Sequence, residues 1–147
     1  MPRSPKKATR KTSRKATRKT SQYILEEDLF INVDGWKIGT DNGKLTDGYI
    51  TLKNEKEFYS YIIADNFTIE DIFDESVDNH YIVISSWNNR DECGTKSIII
   101  NCTHTIIEFR EGDMVFIRRP LPKKVINKLY TLILDKYKDI IIKKIEE

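Results

Sequence analysis

The sequence holds few of the residues that usually announce chemistry. Its 147 residues include two cysteines and two histidines, with no Cys-x-x-Cys pair, no glycine-rich phosphate loop and no nucleophile elbow. This removes the common signatures of zinc modules, nucleotide hydrolases and α/β-hydrolases. Alanine is nearly absent beyond the first 22 residues, and no apolar run exceeds four residues, so no segment reads as a membrane-spanning helix. Residues 1–22 lack the apolar stretch of a secretory signal. They also offer only Ala8 and Ala16 as an apolar face, too little for the amphipathic helix of a mitochondrial presequence. With no export signal, Cys93 and Cys102 are expected as free thiols in a reducing compartment.

Acidic residues are missing from one region altogether. Residues 1–22 carry nine Lys or Arg and no Asp or Glu, whereas residues 23–147 carry 16 basic and 23 acidic residues, a net charge of −7. The overall +2 hides a basic arm on an acidic body, an asymmetry typical of interaction tails. The division predicts a disordered tail over 1–22 and a single acidic domain over 23–147, long enough for one ordinary core.

The arm is a tandem octapeptide. Lys6 to Ser13 repeats as Arg14 to Ser21, and the first position alone differs, with its charge kept. No large apolar residue is present to offset the entropy of ordering. Arg3, Lys6, Lys7, Arg10, Lys11, Arg14, Lys15, Arg18 and Lys19 are positioned for phosphates, through counterion release that ignores base sequence. DNA or RNA is therefore the expected partner, in a nucleus or a viral particle. An import signal is the alternative reading, with the body as a protein-interaction or structural module. Ser4, Thr12, Ser13, Thr20 and Ser21 are candidate phosphorylation sites whose modification would cancel the arm's charge. Ser4-Pro5-Lys6-Lys7 resembles the S-P-K-K element of linker-histone and sperm-chromatin tails, and the Lys-Ala/Arg-Lys-Ser/Thr texture resembles core histone tails. The resemblance covers the arm alone and implies chromatin-like phosphate binding.

In the body, Asp34-Gly35 between Leu29–Val33 and Trp36–Ile38 predicts a β-hairpin with a type I′ turn. Asn42-Gly43 and Asp47-Gly48 predict further turns, and Tyr49–Lys53 a strand. Asn54 with Glu57 three residues on predicts a capped helix burying Phe58, Tyr61 and Ile62. Thr68 and Asp71 predict a second short helix ending near Glu75. Strands are expected at 81–87, 96–101, 103–110 and 114–118, and a long helix from Pro122 to about Lys144. The fold class that follows is α+β: a mainly antiparallel sheet, two short helices and a long C-terminal helix whose protruding end suits a homodimer.

Candidate chemistry within the body is sparse. Cys102 and His104 share a face if 103–110 is a strand, and with His80 and Cys93 supply four zinc-type ligands from separate segments. Cys93 beside Gly94 is a candidate nucleophile, and Asp34, Asp41 and Asp47 are candidate cation ligands that turn chemistry already explains. None of these patterns is specific, so the expectation is no metal, no cofactor and no catalysis. Glu70, Asp71, Asp74, Glu75 and Asp78 read as a solvated helix face, or a resting place for the arm. Arg118, Arg119, Lys123 and Lys124, with Arg110 and Lys128, form a second candidate phosphate patch at the start of the last helix.

Overall fold

The structure is a computed structural model that describes residues 29–62, 66–86 and 95–147. The arm with its phosphate-binding and phosphorylation sites, the junction before Leu29, and the loop with Cys93 lie outside the described residues.

The first hairpin forms where its turn residues place it. β1 (Phe30–Val33) pairs with β2 (Trp36–Asp41) across Asp34 and Gly35, both at positive φ (48° and 86°), as a type I′ turn requires. Asn42 (φ 54°) and Gly43 (φ 83°) repeat the device between β2 and the short β3 (Lys44–Leu45). β4 (Tyr49–Lys53) and β5 (Phe58–Ile62) complete a five-stranded antiparallel sheet ordered β1-β2-β4-β5, with β3 on the end of β2. Ile31, Ile38, Leu52 and Tyr59 are successive partners across it and point inward.

The second sheet is a meander of β6 (Phe67–Asp74), β7 (Asn79–Ser86), β8 (Lys96–Asn101), β9 (Ile106–Glu111) and β10 (Met114–Pro120). β11 (Ile141–Glu146) adds a sixth strand, parallel to β6. One inner row runs Ile69, Ile84, Ile98 and Phe109, and the next runs Asp71, Ile82, Ile100 and Ile107. All except Asp71 belong to the apolar core.

The two inner faces meet through aromatics. Phe109 stacks on Tyr61, with ring centroids 5.0 Å apart, and lies 6.5 Å from Tyr59, which stacks on Trp36. α1 (Lys123–Tyr137) closes the same core with Val125, Ile126, Leu129, Leu132 and Ile133. It touches both sheets: Tyr137 meets Phe67 edge-on, and Lys136 Nζ donates to the Leu45 carbonyl (2.6 Å) and pairs with Asp47.

The architecture is therefore mostly β, with two sheets and a single helix among the described residues, and the α+β expectation is overturned. Three segments account for the difference. Asn54 makes the cap contacts, its Oδ1 accepting from Lys56 N and Glu57 N (both 2.8 Å), but they close a four-residue hairpin loop sealed by Asn54 N–H to Glu57 O. The aromatic run that follows then pairs with β4 as β5. Residues 67–74 form a strand paired with β7 on one edge and β11 on the other, and Ile72, buried out of step with Ile69 and Asp71, blurs the alternation. The terminal helix stops at Tyr137, and residues 141–146, with β-branched Ile141, Ile142 and Ile145, cross to the sheet. The wide apolar stripe was two elements of different period, and no helix end protrudes to form the expected dimer contact.

Candidate nucleic-acid interface

The second phosphate patch is divided by the sheet. Arg118 and Arg119 point to opposite faces of β10. Arg118 Nε donates to Glu108 Oε2 at 2.9 Å. Arg110 Nε lies 3.0 Å from the other Glu108 oxygen, an ion pair without hydrogen-bond alignment. Arg119 crosses between the sheets and donates to Glu57 Oε2 at 2.7 Å, while Tyr59 donates to Glu57 Oε1 at 2.8 Å. The Arg119 hydrogen bond, then that of Tyr59, holds the Glu57 carboxyl below its ordinary range. Lys123 and Lys124 are exposed in the first turn of α1, which carries no acid; Lys128 is half-buried on the same helix.

The thiol and imidazole candidates are not assembled into a site. Residues 102–105 are a turn, not a strand, so Cys102 and His104 do not share a sheet face. His104 N–H is held by Asn101 Oδ1 at 2.8 Å, and its residue borders a small depression of about 150 Å³ on the outer face of the six-stranded sheet. Cys102 packs against the core, where burial, and then nearby Asp71, pushes its thiol up to about 11, far from a nucleophile's range. Among the described residues, no three His, Cys, Asp or Glu side chains converge on a metal position. Asp34 serves the hairpin turn and Asp47 pairs with Lys136.

The acidic stretch is not a solvated helix face. Glu70 pairs with Lys144 on the outer side of β6, and Asp74 caps Ser76. Asp71 is buried on the inner side, between His80 Nε2 (2.8 Å) and the Tyr130 hydroxyl (3.0 Å). It fastens the helix to the sheet, and burial together with this hydrogen bond pushes the Tyr130 phenol up to about 12. Glu75 and Asp78 remain exposed, and Asp74 pairs in register with Glu146.

One feature escapes a motif-based reading. On the outer face of the five-stranded sheet, Phe30, Gly39, Thr51 and Ser60 form one cross-strand row. They line a cleft of about 610 Å³ together with Leu29, Tyr49 and Phe58. Its floor is low: Gly39 lacks a side chain where a Cβ would stand 2.9 Å from Thr51 Cβ, and Thr51 Oγ1 and Ser60 Oγ are 3.2 Å apart. Its rim is apolar and open, with Phe58 64% and Tyr49 39% exposed. Lys53 Nζ sits 4.2 Å above the Phe30 ring, and Lys37 Nζ 6.0 Å from it. The available signal was alternation: β1 and β5 carry aromatics at outward positions where polar residues are usual.

No family model, no curated protein and no solved structure matches the chain. Function must therefore be argued from charge and geometry. No helix among the described residues is long and apolar enough to cross a membrane.

Proposed function

We propose that the protein is a non-enzymatic nucleic-acid-associated protein whose basic arm binds DNA or RNA phosphates without sequence specificity. The observation that carries this reading is the segregation of charge: nine cations and no acid in residues 1–22, against a net −7 over residues 23–147. A body of that net sign repels a polyanion, so the net electrostatic attraction comes from the arm. The pairing of Arg118 with Glu108 and of Arg119 with Glu57 supports the same division, because those guanidiniums are already spoken for.

The test is titration of the full chain against two unrelated duplexes at several salt concentrations. Engaging about five arm cations gives a log–log salt slope near −4 to −5, the same for both sequences because no base edge is read. Replacing all nine arm cations with Gln should abolish binding. If that variant bound as tightly as the parent, the proposal would be wrong.

A further inference from the structure

We propose that the outer face of the five-stranded sheet is a second nucleic-acid contact, one that takes the unstacked bases of a single strand. This rests on the arm as the phosphate anchor and adds the form of nucleic acid preferred. Three observations converge. First, two exposed aromatics, Phe58 on β5 and Tyr49 on β4, border with the half-buried Phe30 on β1 a cleft floored by Gly39, Thr51 and Ser60. Rings of this kind are sequence-tolerant stacking partners, because every base has a π-face. β1 and β5 are separated by two strands, roughly 14 Å across the sheet, a span that a short run of nucleotides covers.

Second, the cations lie beside the rings. Lys53 and Lys37 stand over Phe30 and also line the adjoining depression with Asn32, Asn54 and Glu55. A base on the aromatic rim leaves its phosphate within reach of the Lys53 ammonium group, while Asp41 in the cleft and Glu55 in the depression are carboxylates that a phosphate avoids. Third, the cleft is near the arm in sequence: Leu29, which lines it, lies seven residues after Gln22, the end of the basic segment. A duplex has its bases already stacked and cannot use the rings.

The experiment measures binding of the full chain to three labelled probes: a short oligothymidine strand, an abasic sugar-phosphate strand of equal length, and a duplex. The parent should hold oligothymidine more tightly than the abasic strand. Phe58→Ala should weaken oligothymidine binding by about five- to a hundredfold, with abasic and duplex binding and the salt slope unchanged. Phe58→Trp should retain oligothymidine binding. Phe58 is largely exposed, so these variants should fold as the parent does, and Lys53→Gln should lower affinity together with the salt slope. If Phe58→Ala and Phe30→Ala both held oligothymidine like the parent while duplex binding persisted, the sheet face would be covered by protein or by the chain's own residues, and this inference would fail alone. If the full chain bound none of the three probes, the arm reading would fail as well.

Discussion

The two sheets share one core but present opposite outer faces. On the six-stranded sheet, charge is spent internally: Glu70 holds Lys144, and Glu108 holds both Arg110 and Arg118. On the five-stranded sheet, rings stand in the open and Lys53 rests on a ring. Exposed apolar residues occur on both sheets, Phe116, Ile142 and Ile145 on the six-stranded one and Tyr49 and Phe58 on the five-stranded one, so the difference lies in how the charges are arranged around them. Inner faces show no such difference, since both contribute to a single cluster with α1.

The largest effect that sharpens this contrast is on stability. Phe109 is 1% exposed and joins the sheets through Tyr59 and Tyr61. Phe109→Ala should cost about 3–5 kcal/mol in urea unfolding, whereas Phe58→Ala should stay within about 0.5 kcal/mol of the parent. Equal losses for the two would mean that Phe58 belongs to the core and that the outer face is not a free platform. A second, smaller loss is expected at Asp71. Removing its carboxylate leaves the Tyr130 hydroxyl and the His80 ring without their acceptor. Asp71→Ala should therefore cost about 1–3 kcal/mol, and Tyr130→Phe less, since it removes a donor and leaves the buried carboxylate its His80 contact. If Asp71→Ala unfolded at the parent's urea midpoint, the cluster would not be what fastens α1 to β6.

These same elements show what could be read in advance. Hairpin turns were legible because the conformation is local: Asp34-Gly35 and Asn42-Gly43 specify positive φ within two residues. The helices expected from Asn54 and from Thr68 were misread because the deciding partners are distant in sequence. Asn54 caps a hairpin loop as readily as a helix, and residues 67–74 become a strand through partners at 79–86 and 141–146. Asp71 misled in a different way, since a carboxylate in an acidic run reads as solvated, and its Tyr130 donor comes from 59 residues away. The grouping of Arg118 and Arg119 in one patch fails because strand alternation sends them to opposite faces, and the carboxylates that hold them come from distant strands and loops. The aromatic cleft needs four strands in register before it exists, so no single segment could announce it.

A third measurement concerns the thiol. Burial raises Cys102 to about 11, so in the Cys93→Ser chain a disulfide-exchange reagent at pH 8 should label it far more slowly than an unperturbed thiol. Labelling at the rate of a free thiol would place Cys102 in an open site and reinstate a catalytic reading.

The smallest effect tests the bridge between the sheets. Arg119 and Tyr59 both donate to Glu57, so its folded pKa lies below the ordinary 4.5. A depressed carboxyl binds protons more readily in the unfolded chain, so the pair contributes stability above pH 4.5 that is lost as pH falls through the lower folded value. Both partners are substantially solvated, so the contribution is modest and screened by salt. Unfolding profiles of the parent and of Glu57→Gln should therefore converge as pH drops below about 4.5 and separate above it, with the gap shrinking at high salt. A gap independent of pH would show that Glu57 acts through the shape of the Asn54 loop and not through its charge. The loop would then hold Phe58 at the cleft rim by turn geometry alone, and Arg119 would be available to a phosphate after all.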